Sequence, residues 1–395
     1  MSIQKVLIIT SGSFPYGTPR ALRIRAFIRL FNAININVCV YSDSFSGIDN
    51  GKTFIKKDNI HMYSLGNEII GLKKISLPLL FKKKLEQILL KENVDMIFSN
   101  CLYDRFYYIK QMSNKYELPL VIDCNEWYDP STFKYGKFSW HYIFHSYCWK
   151  KLYPKVNGVV AISRLIEQHY RHYMNNVIRI PTIVDELDGK YIVNKCDSNT
   201  IRLLFAGSLA RTKDSIKPFF QALELISKEQ QKRFLFEICG VSETELKLHL
   251  DNSLYEKYRC LINNHGLIPQ EKIAEMYMQC DYGIFFRPNQ RSSHAGFSTK
   301  LGEGMSLGTP FIVNDTSDIS LYIKNGVNGF IVNDINDITN VYLKIINMPL
   351  EEYQQIRYSA RKTAETNFYF DTYKTKFEEF FKSVMQGEKN NGNKI

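Results

Sequence analysis

Several features that mark common protein classes are missing from the sequence. It has no run of about twenty apolar residues, which is the length that a membrane-spanning helix needs. The apolar run in its opening stretch, MSIQKVLIIT, is too short for a signal peptide. Its eight cysteines are scattered without a C-x-x-C pair, which argues against a zinc site or a disulfide framework. We therefore expect a cytoplasmic protein that is either soluble or peripheral to a membrane.

Short catalytic motifs are missing as well. The sequence contains no H-E-x-x-H metal motif, no G-x-S-x-G and no zinc-finger or RNP pattern. Two pairs of histidines do occur at helical spacing, His141 with His145 and His169 with His172, but no grouping of carboxylates accompanies them. We interpret these four as packed side chains of aromatic-rich helices, so we expect no metal site.

The composition indicates a globular chain with two domains and an anionic partner. With 395 residues the chain is too long for one ordinary core. Hydrophobic residues make up 45% of it, which excludes an intrinsically disordered protein. The formal net charge of +11 and the pI near 9.0 favour binding to phosphates, to lipid headgroups or to nucleic acid.

The first half of the chain alternates between strand and helix patterns. KVLIITSG is a short apolar run ending in small residues, RALRIRAFIRLFNAI has apolar residues at helical spacing, and INVCVYS returns to a strand. Further strands are predicted at 94–100, 119–125 and 157–163, with helical stretches between them. This alternation predicts a parallel sheet covered by helices on both faces.

A second α/β series follows a polar segment at 181–200, which we interpret as a linker. The series begins with the strand IRLLFAGS and the helix SIKPFFQALELISKEQQ, and its last strands are PFIVND and GFIVND. We predict an N-terminal domain over residues 1–185 and a C-terminal domain over 186–367. The helix at 368–386 is a candidate to pack back on the first domain, and 387–395 is predicted to be a disordered tail.

Two loops that follow predicted strands carry residues suited to a ligand. In open parallel sheets, ligands bind beyond the carboxyl ends of the strands. The loop at 10–23 contains Gly12 and Gly17, which would allow close approach of a bound group, although a simple glycine turn is the alternative. The loop at 205–215 places Arg211 and Lys213 before a helix, which suits a diphosphate; the alternative is a solvated basic loop.

A third stretch, HAGFSTKLGEGMSLGTP at 294–310, raises the question of why one glutamate stands among small residues. Ser298 or Thr299 can cap a helix there, with Glu303 in its first turn. Glu303 would then only complement the helix dipole, but a capping box would need Ser or Thr where Lys300 stands. The glycines at 302, 304 and 308 are poor helix formers, so they suggest close approach of another group. A carboxylate in this position could accept both hydroxyls of a ribose.

These stretches together resemble the retaining glycosyltransferases of family 4. The resemblance is strongest over about 200–333 and is carried by RLLFAGSLARTKDSI, HGLIPQEKIAEMYMQCDYGIFF, STKLGEGMSLGTPFIVND and IKNGVNGFIV. VVAISRLIEQHY and IRIPTIVD are similar to the end of that family's first domain and its interdomain linker. The resemblance implies the GT-B fold, in which two Rossmann-like α/β/α domains face each other across a cleft.

The resemblance also implies an activity and assigns residues to it. Such enzymes transfer a sugar from a nucleotide diphosphate donor, here UDP- or GDP-linked, to an acceptor hydroxyl with retention and without an essential metal or other cofactor. Lys213 matches the lysine that neutralises the leaving diphosphate, and Glu303 matches the glutamate that binds the ribose. The backbone at Gly207 would approach the phosphates. The base would meet the backbone at Gly266 and Leu267, and the phosphates or sugar would meet the amides of Thr299, Lys300 and Leu301.

The sequence departs from the family pattern at two places. Ser208 stands where the family has an arginine after the strand glycine, and Arg211 is expected to compensate. Ala295 replaces the first glutamate of the E-x7-E pattern, so its contact with the donor sugar is lost or supplied elsewhere, with neighbouring His294 as a candidate. These changes affect the choice of sugar more than the chemistry, because stabilising the diphosphate does most of the catalytic work.

The acceptor is expected in the first domain, after the strand that ends in DCNEWYDP (123–130). Glu126 is our candidate for ordering or deprotonating the acceptor hydroxyl, although a helix-capping role is an equal alternative. Asn125 would face the acceptor, and Trp127 and Tyr128 could stack on a sugar ring. In the loop at 10–23 we expect Gly17 to meet the donor, and Tyr16 and Arg20 to meet the acceptor.

Two segments of the first domain interleave lysines with apolar or aromatic residues, at 73–91 and 133–155. A surface that rests on an anionic bilayer needs aromatic side chains at the membrane interface and cations at the lipid phosphates. The alternative for each segment is an amphipathic helix packed on its own sheet. Taken together, the two segments favour peripheral contact with an anionic membrane, at the inner face of the plasma membrane, and a lipid-linked acceptor.

The sequence therefore predicts a glycosyltransferase that builds a surface polysaccharide, of the capsule or lipopolysaccharide kind. A sugar-nucleotide epimerase on the same scaffold is the closest alternative, but it would need more acids and bases in the cleft. A nucleic-acid-binding protein is the alternative that the charge suggests. We expect no nucleic acid as partner, and the alternative predicts a strongly salt-dependent affinity for oligonucleotides.

Overall fold

A computed structural model describes residues 3–49, 51–66, 77–185, 199–209 and 214–391. Within it the chain divides into two compact units. The first consists of Met1–Asp185 together with Phe370–Ile395, and the second of Glu186–Tyr369. The linker predicted at 181–200 lies largely outside the described residues, as do Arg211 and Lys213. No helix of the described residues is long and apolar enough to cross a bilayer.

The first unit is built on a sheet of eight strands in the order β10-β9-β8-β7-β1-β3-β6-β5, and a pair of short strands, β2 and β4, lies outside it. All pairings in the large sheet are parallel except that of β5 with β6. The strands are β1 (Lys5–Ile9), β2 (Ser13–Phe14), β3 (Asn37–Ser42), β4 (Ser44–Phe45), β5 (Phe54–Lys57), β6 (Ile60–Ser64), β7 (Met96–Asn100), β8 (Leu120–Cys124), β9 (Gly158–Ala161) and β10 (Val177–Arg179). Strands β7, β8 and β9 are buried along their whole length, as a sheet covered on both faces requires.

Helices connect these strands and cover the sheet. They are α1 (Pro19–Ala33), α2 (Leu77–Glu92), α3 (Phe106–Lys115), α4 (Trp140–Tyr147) and α5 (Arg164–Arg171). Helix α1 begins where the sequence gives a start signal, because the Thr18 side chain accepts a hydrogen bond from the Ala21 N–H and Pro19 occupies the first turn. Helix α2 turns Phe81, Leu85 and Ile88 into the core. The part of the 73–91 segment that the structure describes therefore packs largely on its own unit.

The second unit has a fully parallel sheet of six strands in the order β13-β12-β11-β14-β15-β16. The strands are β11 (Ile201–Ala206), β12 (Phe234–Cys239), β13 (Ile262–Gly266), β14 (Tyr282–Phe285), β15 (Phe311–Val313) and β16 (Gly329–Ile331). Two parallel α/β sheets, one in each unit, confirm the α/β class predicted from the alternating pattern.

The helices of the second unit differ from the prediction at one place. They are α6 (Lys217–Leu223), α7 (Lys228–Gln231), α8 (Glu243–Leu250), α9 (Asn252–Tyr258), α10 (Gln270–Gln279), α11 (Arg291–Ala295), α12 (Thr299–Ser306), α13 (Ile319–Tyr322), α14 (Ile335–Ile346) and α15 (Leu350–Asn367). The single helix predicted for SIKPFFQALELISKEQQ is in fact α6 and α7. Ser227 interrupts it by forming a capping box with Gln230, which starts a new helix.

The last helix, α16 (Lys374–Asn391), returns to the first unit. Its Phe377 and Phe381 join the hydrophobic core of that unit, with the Phe377 ring centroid 4.9 Å from that of Phe31 and Phe381 5.1 Å from it. The helix continues to Asn391, beyond the point at which the tail was predicted to begin, although Gly387 lies within it.

Candidate functional site

Each sheet has one point at which its strand order reverses, and open α/β sheets bind ligands beyond the carboxyl ends of the strands at such a point. In the second unit this point lies between β11 and β14, and in the first unit between β1 and β7. The residues that follow these four strands are therefore the first place to look for a site in each unit.

In the second unit, Gly207 follows β11 in a conformation that favours glycine, with φ +149°. A β-carbon at this position would lie 2.5 Å from Cε of Lys300 and 2.7 Å from its Nζ. The end of the Lys300 side chain thus passes directly over Gly207. The neighbouring Ser208 is exposed.

A buried carboxylate organises two cations at the same edge. Asp214 is only 3% exposed, and its Oδ1 lies 2.8 Å from Arg287 Nε and its Oδ2 2.5 Å from Lys300 Nζ. Burial alone would raise the pKa of Asp214, but the positive charges of Lys300 and Arg287 outweigh it and hold that pKa well below its usual range. Two cations thus share one anion, and the cluster carries one positive charge in excess.

Helix α12 begins beside this cluster and brings further groups that suit an anion. Ser298 is its N-cap residue and makes no side-chain capping bond. Its hydroxyl is buried, with 2% of the residue exposed, and has no hydrogen-bond partner among the described residues. The N–H groups of Thr299, Lys300 and Leu301 form the first turn, where an α-helix provides no intrahelical acceptors. An anion at this helix start would meet both these donors and the helix dipole.

Glu303 is the fifth residue of α12, so the expectation that it lies in the first turn is wrong. The reason is that Ser298 is the N-cap and the helix begins at Thr299, so four helical residues precede the glutamate. The effect of a charge on the helix dipole fades after the first turn, so Glu303 contributes less through the dipole than a first-turn glutamate would. Burial, and then the negative charge of Glu303, raise the pKa of Tyr277.

Two glycines of this segment have structural explanations that the sequence reasoning did not give. A β-carbon on Gly304 would lie 2.5 Å from the Phe311 ring and 2.9 Å from the Tyr277 ring, so the close neighbour is the core. Gly308 has φ +77° and ends the helix. Its N–H donates to the Met305 carbonyl, while the next N–H, from Thr309, donates to that of Gly304. This is a Schellman ending, which favours glycine.

His294, the candidate for replacing the missing glutamate contact, is engaged within its own unit. Its Nε2 lies 2.7 Å from Asn289 Oδ1, and its Nδ1 accepts the Ser317 N–H at 3.3 Å. Ala295 beside it is completely buried. At the predicted base position Gly266 has φ +63° with open space around its α-carbon, and the Leu267 that follows is 90% exposed. An exposed leucine is available to cover one face of a planar base.

The loop that carries Asp214 is tied to α8 through His249. His249 Nε2 lies 3.1 Å from Ser215 Oγ and accepts the Ile216 N–H at 3.3 Å. Burial, and to a lesser extent the charge of Lys217, lower the pKa of His249. The imidazole is therefore neutral where it accepts this N–H.

This contact predicts a loss of stability in mild acid. Because the pKa of His249 is lower in the folded than in the unfolded state, its contribution is complete above about pH 6.5 and is lost as the pH falls towards the folded value. Replacing His249 with glutamine should flatten the pH dependence of the unfolding free energy by at most ~1.4 kcal/mol per pH unit, one proton's worth. The exposed His172, changed to glutamine, is the control. An unchanged slope in the His249 variant would contradict the prediction.

In the first unit the strand-order reversal opens into a cavity of about 250 Å³. Of the residues predicted to face the acceptor, Arg20, Asn125 and Glu126 line it. The Arg20 Nη2 lies 3.9 Å from Glu126 Oε2, a distance that allows an ion pair. The remaining lining residues are Ser11, Asn100, Cys101, Leu102, Tyr103, Asp104, Arg105, Tyr128, His141 and His145. These groups are mostly polar, which suits a hydroxylated ligand.

Two of the aromatic residues predicted to meet the acceptor lie elsewhere. Trp127 stacks on the buried Trp149, with ring centroids 4.4 Å apart and planes within 5°, and it does not line the cavity. Its neighbour Tyr128 does. Tyr16 is partly exposed with the Arg25 guanidinium over its ring, and Gly17 beside it has φ +87° in open space.

The side of the cavity formed by the strands is held by a buried network that the sequence reasoning missed. The Arg23 guanidinium donates to both carboxylate oxygens of Asp123, at 2.8 to 3.1 Å, and Asn100 Nδ2 donates to the same carboxylate at 3.1 Å. Thr10 Oγ1 in turn donates to Asn100 Oδ1. The sequence does contain a sign of this network, because Asp123 stands inside the apolar run LVIDC. A charge is rarely buried without a partner.

Comparison with solved structures shows which known architecture the whole fold resembles. Sucrose-phosphate synthase from Thermosynechococcus elongatus matches with a TM-score of 0.72 at 14% identity, over 97% of this chain and 100% of the other. Anabaena Alr3699/HepE in complex with UDP and glucose matches with 0.68 at 14% identity, over 96% and 100%. The apo lipopolysaccharide outer core galactosyltransferase WaaB matches with 0.63 at 15% identity, over 96% and 99%. The fold is that of the GT-B glycosyltransferases.

Comparison of the sequence agrees over the second unit. Residues 200–348 match the family described as “Glycosyl transferases group 1”. This range contains the Gly207 turn, the Asp214 cluster and helix α12. A search among curated proteins finds no match.

Proposed function

We propose that this protein is a retaining glycosyltransferase that takes a sugar from a UDP- or GDP-sugar. The observation that carries the proposal is a group of three features beyond β11 and β14. They are the two cations paired with Asp214, the start of α12 and the Glu303 carboxylate. A nucleoside diphosphate needs this combination, with cations and N–H donors for the phosphates and a carboxylate for the ribose hydroxyls. Structures with the same fold include one with UDP and glucose bound.

The reaction breaks the bond between the anomeric carbon and the diphosphate oxygen, and the electron pair leaves with the diphosphate. The acceptor oxygen forms the new bond to the same face of that carbon, and its proton is taken up by the departing diphosphate. The residues present fit a site without a metal, because Lys300 and Arg287 already supply positive charge where the phosphates would lie. Among the described residues no three His, Cys, Asp or Glu side chains come together as metal ligands would. Metal independence stays a prediction.

Thermal unfolding of the purified protein tests the proposal. UDP, GDP, ADP, CMP and a short oligonucleotide are added separately at saturating concentration. A ligand that binds only the native state raises the melting temperature. At a concentration one hundred times its Kd, it adds about 2.7 kcal/mol to the free energy of unfolding. We expect a shift with UDP or GDP that disappears in Glu303→Ala. A shift with the oligonucleotide alone would replace this proposal with a nucleic-acid-binding function.

The acceptor we propose is a lipid-linked precursor of a surface polysaccharide, of capsule or lipopolysaccharide type, reached at the cytoplasmic face of the membrane. Helix α4 supports this. Its Trp140, Ile143, Phe144 and Tyr147 recur at the spacing of one helix face, and all four are exposed. Just before it, Phe138 is 90% exposed. This apolar face points outwards, whereas that of α2 points into the core.

The charges around α4 favour an anionic bilayer over another apolar surface. From residue 130 to residue 166 the chain contains no aspartate or glutamate. Exposed lysines flank the helix on both sides, at 134, 137, 150 and 151. An interfacial helix has this composition: its aromatic residues enter the headgroup region, and its lysines meet the lipid phosphates. His141 and His145 of the same helix line the cavity, so the acceptor site lies directly beside the proposed bilayer contact.

Replacing Trp140 and Phe144 together with alanine should release the protein from anionic vesicles. Each large side chain that leaves the bilayer costs ~1.5–3 kcal/mol, so the partition coefficient should fall by at least ~100-fold. Sedimentation with phosphatidylglycerol vesicles measures the effect. The control is Leu248→Ala, an apolar residue of the second unit that is more exposed than either of the two. Unchanged partitioning, or equal binding to uncharged phosphatidylcholine, would contradict the prediction.

A further inference from the structure

The side chain of Lys300 lies where the family resemblance gave it no role. The resemblance implied only that its backbone amide meets the donor. Yet its ammonium group reaches the carboxyl end of β11, where it crosses Gly207 so closely that a β-carbon there would lie 2.7 Å from Nζ. It also lies 5.2 Å from the centroid of the Phe205 ring. A cation therefore occupies the turn that carries Ser208.

This position matters because Ser208 stands where the family has an arginine. An exposed serine hydroxyl cannot neutralise a charge, so the arginine's charge has to come from another residue. Arg211, the candidate from the sequence, lies outside the described residues. Within the described part of the second unit, the cations held at this edge by Asp214 are Lys300 and Arg287. Lys300 is the one that contacts the turn itself.

The charge balance of the cluster points to an anionic ligand. Each oxygen of the Asp214 carboxylate pairs with one cation, so these three side chains together carry a net charge of +1. Both cations are largely buried, with side-chain exposures of 17% and 16%. A buried excess charge is unfavourable until an anion compensates it. The buried Ser298 hydroxyl, beside the first turn of α12, has no hydrogen-bond partner among the described residues and is a further donor for an anion.

We propose that the Lys300 ammonium is the second cation that stabilises the leaving diphosphate, in place of the arginine missing at Ser208, and that Asp214 positions it. This inference rests on the proposed function. As the bond between the anomeric carbon and the diphosphate oxygen breaks, its electron pair becomes negative charge on that oxygen. Meanwhile the acceptor oxygen bonds to the same face of the anomeric carbon, and its proton is taken up by the departing diphosphate. A fixed cation at the oxygen that gains charge lowers the barrier more than it tightens binding of the donor.

The test separates this role from a structural one by removing the charge of Lys300 with and without its partner. Lys300→Met keeps Asp214 paired with Arg287, one anion with one cation, so the fold should survive. The double variant Asp214→Asn/Lys300→Met leaves Arg287 buried without its carboxylate, so its melting temperature should fall below that of Lys300→Met. Lys300→Arg keeps a cation and its pairing with Asp214. Turnover and donor KM are measured for all three variants with the nucleotide sugar that wild type uses.

We expect Lys300→Met to fold and to bind donor with a similar KM, but to turn over about 100-fold more slowly. Lys300→Arg should retain much more activity than Lys300→Met. If Lys300→Met turns over at the wild-type rate, Lys300 is only a counter-ion and the inference is wrong. If Lys300→Met loses turnover only in proportion to a lost fold, and Lys300→Arg loses as much, the role of Lys300 is structural and the inference is wrong as well. Failure of the wild type to bind or use any nucleotide sugar would instead refute the proposed function itself.

Discussion

Replacing Glu303 with alanine is expected to lower kcat/KM for the nucleotide sugar by about 100-fold, because two hydrogen bonds from the ribose hydroxyls to a carboxylate are lost at ~1.5 kcal/mol or more each. The fold should survive. Glu303 is partly exposed, and the packing of α12 depends on Leu301, Met305 and the glycine at 304 rather than on the carboxylate. Steady-state kinetics and a melting curve measure the two effects separately.

The control for Glu303 is Glu271→Ala. Glu271 is an exposed glutamate in the first turn of α10, where an acidic side chain does complement the helix dipole. If Glu303 acted only on its helix, the two variants would show similar small changes in stability and none in activity. Full activity in Glu303→Ala would remove the ribose contact from the account.

The second large effect is expected for Lys213→Ala, which should lower kcat by about 100- to 1000-fold. The resemblance assigns Lys213 to the leaving diphosphate, where removing one preorganised electrostatic contact typically has an effect of this size. The effect on KM should be smaller, because the charge on the leaving oxygen grows mainly in the transition state. Lys213 lies outside the described residues, between Ser208 and the Asp214 cluster in the chain.

Lys217→Ala is the matched control for Lys213. Lys217 stands four residues further on, at the start of α6, and its ammonium pairs with the exposed Asp251 at 2.8 Å. General loss of positive charge near the loop would affect both variants alike. A wild-type rate in Lys213→Ala, or an equal loss in Lys217→Ala, would show that no specific lysine serves the diphosphate.

The fold could be predicted from the sequence because buried parallel strands have a simple signature. Runs such as KVLII and LVIDC are apolar throughout because both faces of the sheet are covered, and the structure has them as β1 and β8. The break between α6 and α7 was missed because a serine capping box is compatible with a continuous helical pattern. The C-terminal helix was a candidate to pack back on the first domain, but which aromatic surface its Phe377 would meet is encoded by no local pattern.

The candidate site could be predicted only in part, for a related reason. Loops after strands and the segment around Glu303 are marked by local sequence, and so was the departure at Ser208. The pairing of Asp214 with Lys300 and Arg287 joins positions up to 86 residues apart, and the pairing of Arg23 with Asp123 joins positions 100 apart. Side chains that meet only after folding leave no spacing to recognise. The stacking of Trp127 on Trp149 was hidden in the same way.

The most direct measurement is the release of nucleoside diphosphate from UDP- and GDP-sugars carrying a labelled sugar, with and without a lipid extract from a bacterial envelope. The account predicts release that depends on the extract, with the label appearing in the lipid fraction and the anomeric configuration retained. Conversion of the sugar nucleotide to an isomer without any acceptor would identify an epimerase instead. No consumption of any sugar nucleotide, in a protein that binds none of their diphosphates, would contradict the central claim.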